Sequence, residues 1–131
     1  MTQHRSYFLS TQANRITEAI GKTYNIKPDF PWRKTSASYG VFRHQDTRKW
    51  FALIMDLRRR MVDGSDKTES VNVINLKIHP GDGEAIRSLP GVYPAYHMNR
   101  YHWISVILND NLTDSDVLEM IEMSYLLTKK K

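Results

Sequence analysis

A chain of 131 residues, 40% hydrophobic and 25% charged, is long enough to bury one ordinary core and is read as a single domain over residues 1–131; this composition excludes both a disordered and a membrane-embedded chain. The lack of cysteine excludes disulfides, thiolate metal sites and cysteine nucleophiles. The net charge of +5 is lopsided, since residues 1–60 carry twelve Lys or Arg against four acids while residues 61–131 carry seven against ten.

A basic half collects phosphates by long-range attraction and counterion release, which puts nucleic acid among the partners to consider; the plainer reading is a solvated cationic surface. No run approaches the roughly 20 apolar residues of a membrane span. The opening MTQHRSYFLSTQANR has too short an apolar core, and no small-residue cleavage signal, to be a secretory leader. The expected location is therefore cytoplasmic, with no membrane partner.

In chain order, Phe8, Leu9, Ala13, Ile16, Ala19 and Ile20 fall near helical spacing and predict a first helix, capped by Ser10 or Thr11 and ended by Gly21. Residues 25–33 hold Pro28 and Pro31 and predict an extended connector, with Trp32 plugging the sheet edge. Residues 39–43 and 49–57 read as strands joined by the polar hairpin loop His44-Gln45-Asp46-Thr47-Arg48. Simple alternation puts Phe51, Leu53, Met55 and Leu57 on the core face of the second strand. Arg58, Arg59 and Arg60 follow, as a phosphate-facing loop or an exposed strand end, and Asp63-Gly64 marks a turn.

Residues 70–78 predict a third strand with Ile74, Leu76 and Ile78 on one face. Residues 82–89 predict a short helix with Asp82 as cap and Ala85, Ile86 and Leu89 inward. Two strands over residues 92–95 and 102–108 then flank the polar crossing Met98-Asn99-Arg100, and Asn109-Asp110-Asn111 signals a turn. Residues 113–128 give the clearest helix, with Thr113 as cap and Val117, Leu118, Ile121, Tyr125 and Leu126 as its apolar stripe. The tail Lys129, Lys130 and Lys131 reads as a frayed helix end.

The fold class expected from this order is α+β: a mainly antiparallel five-stranded sheet with the N-terminal and C-terminal helices packed on one face. The other face would then present Trp50, Asn75, Lys77, Trp103 and Ser105, bordered by Tyr96, His97, Asn99 and Arg100. Aromatic planes among cations are how many proteins hold nucleic acid, bases on rings and phosphates on charges. The plainer reading makes Tyr96 and Trp103 packing residues, with His97 and Asn99 satisfying backbone groups at the turn.

The run Pro94, Ala95, Tyr96, His97, Met98, Asn99, followed by His102-Trp103 and an apolar strand, resembles the signature of the MmcQ/YjbR family. Phe42-Arg43, the stretch Lys49-Trp50-Phe51-Ala52-Leu53-Ile54, the strand around residues 72–77 and Ser124-Tyr125 agree with it in order. The resemblance implies a frataxin-like arrangement, described for that family as a double-wing DNA-binding fold, and no established reaction. A frataxin-like iron role would need an acidic first helix and adjoining strand, whereas Glu18 is the only acid in this first helix.

No phosphate loop, elbow serine or paired-carboxylate signature occurs, and His79, His97 and His102 lack zinc-motif spacing, so neither catalysis, metal nor cofactor is expected. Two readings stand. In one, Arg48, Lys49, Arg58, Arg59, Arg60, Lys77 and Arg100 contact the phosphates of DNA on a continuous positive surface. In the other, a non-catalytic adaptor, monomer or homodimer, binds a protein or small molecule at Tyr96, His97, Asn99 and Trp103.

Overall fold

The structure, a computed structural model, describes residues 7–32 and 39–129. Arg33 of the connector and Lys130 and Lys131 of the tail lie outside the described residues. The elements are α1 (Thr11–Tyr24), β1 (Gly40–Arg43), β2 (Trp50–Arg58), α2 (Arg60–Asp63), β3 (Ser70–Lys77), a 3-10 turn (Pro80–Asp82), α3 (Gly83–Arg87), β4 (Val92–Pro94), β5 (Trp103–Ile107) and α4 (Asp114–Thr128). The strands form one sheet in the order β1-β2-β3-β5-β4, each neighbouring pair antiparallel. The expected α+β architecture holds, with α2 as an added turn between β2 and β3.

Both long helices lie on one face. Ala13, Ile16 and Ile20 of α1 and Val117 and Ile121 of α4 join Phe42, Ile54, Ile74, Leu76, Ile104 and Val106 of the sheet in one buried cluster. Burying a side chain of this size stabilises the fold by roughly 1.5–3 kcal/mol. Ser10 caps α1, its hydroxyl accepting from the Ala13 amide at 3.1 Å and donating to the Leu108 carbonyl at 2.6 Å, so one side chain starts the helix and ties it to the end of β5. Gly21 does not stop this helix. Its carbonyl instead receives the amide of Asn25, which adopts the left-handed conformation at φ 55°, so α1 runs on to Tyr24. Leu9, outside the helix, is exposed.

Thr113 caps α4 as expected, accepting from the Asp116 amide at 3.1 Å. The residues of α4 buried against the sheet are Val117, Ile121, Ser124 and Thr128, and Leu126 points away. Asp82 makes no side-chain cap; the turn starting at Pro80 feeds α3 instead, and Ala85 and Leu89 are exposed.

The largest departure from simple alternation is in β2. Phe42 pairs with Ala52 but Arg43 pairs with Trp50, so Phe51 is an extra residue, a β-bulge. The bulge places Phe51 and Ala52 together in the helix-side core and sends Leu53, Met55 and Leu57 to the opposite face. Beyond it, Ser124 of α4 closes the gap in the ladder. Its buried hydroxyl accepts from the Lys77 amide at 2.9 Å and donates to the Phe51 carbonyl at 2.6 Å.

His44, expected in a solvated loop, is 2% exposed. Its ring lies 4.3 Å from that of Tyr125 and 5.3 Å from that of Phe51, and its Nε2 meets Thr128 Oγ1 at 2.7 Å. The Thr128 hydroxyl also lies 2.8 Å from the Ser124 carbonyl, and donation there pairs with the tautomer that carries its hydrogen on Nε2. Burial holds the imidazole below its ordinary pKa of 6.5.

Candidate functional site

The face opposite α1 and α4 is not a polar surface. Val41, Leu53, Met55, Leu57, Val73 and Ile107 form a second buried cluster there, flanked by Tyr39, Trp50, Tyr93 and Tyr96. Its cover is the crossing between β4 and β5. Ser105 Oγ accepts from the Tyr96 amide at 2.9 Å and donates to Asn75 Oδ1, while Asn75 Nδ2 donates to the Tyr96 carbonyl at 3.0 Å. Asn75 and Ser105, expected on the exposed face, are therefore fully buried, and they form a closed ring of hydrogen bonds that pins the Tyr96 peptide to β3 and β5. Three neutral bonds of this kind contribute roughly 0.5–1.5 kcal/mol each.

This anchor leaves a pocket beside it. Trp32, Tyr39 and Trp50 form one wall, Leu53 and Met55 the floor, and Tyr96, His97 and Met98 the opposite wall, around a cavity of about 340 Å³. The Trp32 ring stands nearly perpendicular to those of Trp50 and Tyr39, at 5.6 and 6.4 Å. His97 holds a left-handed backbone at φ 57°, which brings its ring against that of Tyr96, 4.0 Å away. Burial, with the nearby Tyr96 and Asp56, raises the Tyr39 pKa above its ordinary 10, so that phenol is a neutral donor at physiological pH. The described lining is ring faces, two thioethers, a leucine and an imidazole. It suits a flat unsaturated group and, among the described residues, offers no nucleophile paired with a base.

Arg43 extends the aromatic wall. Its guanidinium sits 5.7 Å from the centre of the Trp50 ring, and Asp29 and the Arg48 carbonyl hold it there. The expected cations divide into two groups. Arg48 and Lys49 immediately precede β2, Lys77 ends β3 opposite Trp103, and Arg100 leads into β5, so these four crown the end of the sheet that carries Trp50. Arg58, Arg59 and Arg60 stand at the other end of β2, about 26 Å away by strand rise.

That second group closes the connection between β2 and β3. Arg58 donates to the Thr68 carbonyl at 2.9 Å, and Arg59 pairs with Asp63 at 3.0 Å and Glu69 at 3.5 Å, its hydrogen bond to Asp63 raising its pKa. The seven cations thus divide between the two ends of β2. Asn99 and Trp103 also lie outside the pocket lining. Asn99 builds the turn, its side-chain oxygen accepting from the Tyr101 and His102 amides, and Trp103 is half-buried across from Lys77. Trp32, Tyr39, Leu53, Met55 and Met98 were not among the expected site residues. The bulge hid Leu53 and Met55, whose phase depends on it.

The family model for YjbR matches residues 22–127. The chain belongs to the YjbR family. It is 32% identical over 114 residues to the uncharacterized protein YyaQ of Bacillus subtilis, covering 87% of this chain and 95% of that one. It is 29% identical over 83 residues to the uncharacterized protein YjbR of Escherichia coli K12, covering 63% and 68%. Among solved structures, a crystal structure of a Pseudomonas syringae protein superposes with a TM-score of 0.83 at 42% identity, covering 88% of this chain and 97% of that one. A Deinococcus radiodurans protein, at 23% identity and a TM-score of 0.62 over 87% and 78%, shares the fold. The stretches that carry the YjbR resemblance in the sequence have distinct places here: Lys49 to Ile54 holds the bulge, Pro94 to Asn99 supplies Tyr96, His97 and Met98 to the pocket wall, and Ser124 bridges Lys77 and Phe51.

Proposed function

We propose that this YjbR-family chain is a non-catalytic DNA-binding protein that takes an unpaired base into the aromatic pocket, with the flanking phosphates on Arg48, Lys49, Lys77 and Arg100. The observation that carries the reading is the placement of a ring-lined cavity at the same end of the sheet as four of the expected cations. A cavity of 340 Å³ admits one base. Stacking of a base on an aromatic side chain is worth about 1–3 kcal/mol and is indifferent to sequence, while phosphate contacts make affinity fall with salt.

The test is fluorescence anisotropy with labelled oligo-dT and with duplex DNA of the same length across a salt series. Micromolar binding that prefers the single strand, weakens steeply with salt and drops about tenfold or more in Trp50→Ala is the expected outcome. No binding at low salt would overturn it. The apolar lining also favours a second reading, a small planar ligand without phosphates, whose binding would be insensitive to salt.

A further inference from the structure

The helix α4 carries apolar residues on two flanks, and only one of them meets the sheet. Beside the core contact, Met120 and Ile86, themselves packed against the core, lead out to Met123, Leu126 and Leu89, and these residues line a groove of about 940 Å³. Met123 is 41% exposed, Leu89 41% and Leu126 61%, so the groove is apolar and uncovered among the described residues. A soluble helix with this much apolar surface outside its core contact is the kind that a second element covers.

The lining of the groove holds more acid than base, with Asp116, Glu119 and Glu122 against Lys129 at its end. Asp116, Glu119 and Glu122 follow each other at three-residue spacing along α4, are exposed, and pair with no cation among the described residues. Two of the groove's exposed or half-exposed side chains are methionines, whose flexible thioethers adapt to varied apolar partners. From Asp116 to Leu127 the groove follows about three turns of helix, roughly 17 Å. An apolar channel whose lining is net negative matches an amphipathic helix that is apolar on one side and cationic along its flank.

We propose that the groove between α3 and α4 is a docking site for a basic amphipathic helix of a partner protein, with Met120, Met123 and Leu126 receiving its apolar side and Glu119 and Glu122 its cations. The occupant is distinct from the ligand of the aromatic pocket, which opens on the opposite face of the sheet.

The probe is a labelled amphipathic peptide of leucine and lysine, about 18 residues long, with a control in which glutamate replaces lysine. Anisotropy gives affinity, and carbon-13 methyl spectra of Met120 and Met123 give position. The expected result is saturable binding of the lysine peptide that shifts both methyl signals. Affinity falls by about tenfold or more in Leu126→Lys and in Glu119→Lys/Glu122→Lys and stays within about twofold in Trp50→Ala. The groove substitutions sit at exposed positions, and circular dichroism checks that each variant is folded. Equal binding by wild type and both groove variants, unmoved methionine signals or equal binding of the glutamate peptide would overturn the proposal. So would a wild-type dimer that Leu126→Lys converts to a monomer, because the groove would then belong to a second copy of the chain.

Discussion

Both faces of the sheet carry a buried apolar cluster, but the two are covered differently. On one, α1 and α4 supply Ile16, Ile20, Val117 and Ile121 and leave every contacting sheet residue dry. On the other, the cover is the short β4–β5 crossing, pinned at a single peptide by Asn75 and Ser105, and it stops short of Trp50 and Tyr39. A long helix hydrogen-bonds its own backbone and can bury a whole face, whereas an irregular loop must borrow side chains for its polar groups. The incomplete cover is what makes a pocket.

Substitutions should separate the faces. Phe51→Ala removes the bulged ring from the helix-side core and should cost roughly 3–5 kcal/mol in denaturant unfolding. Ser124→Ala leaves the Lys77 amide and the Phe51 carbonyl without their shared partner, with an expected loss of about 1–3 kcal/mol. Asn75→Ala should cost about 1–2 kcal/mol, yet it releases the Tyr96 peptide and should reduce oligo-dT affinity more than it reduces stability. A variant of the open face that lost stability as Phe51→Ala does would erase the distinction.

The smallest effect is pH-dependent and belongs to the helix side. His44 is neutral when folded because burial depresses its pKa, while the unfolded chain titrates near 6.5. The unfolded state therefore takes up the proton first. The stability His44 contributes is complete above about pH 6.5 and is lost as the pH falls from there toward the folded pKa. Melting temperature should drop over that interval in the wild type and less steeply in His44→Gln.

Much of this architecture was legible because periodicity reports burial: Ile74 and Leu76 of β3 and Ile104 and Val106 of β5 share the helix-side face, and Thr113 and Ser10 mark their helices by capping chemistry. What was not legible depends on partners distant in sequence. Nothing near Phe51 announces a bulge, since the residue that stabilises it is Ser124, and a one-residue insertion reverses the face of every residue after it. His44 looked like a loop residue because its burial comes from Tyr125 and Thr128 at the far end of the chain. Tyr96 and His97 were expected at a site, but Trp32 and Tyr39 join them only through the tertiary fold. The arginines of residues 58–60 attracted notice by density alone, and their neighbours Asp63 and Glu69 already pair with one of them.

The most direct test of the account is a nitrogen-15 titration with oligo-dT, following every backbone amide and the tryptophan indole signals. The account predicts saturable shifts at Trp50 and at Tyr96, His97 and Met98, with smaller ones at Arg48, Lys49, Lys77 and Arg100 and none across residues 58–63. Shifts centred on Arg58, Arg59 and Arg60 with the pocket signals unmoved would contradict it and place the DNA at the opposite end of the sheet.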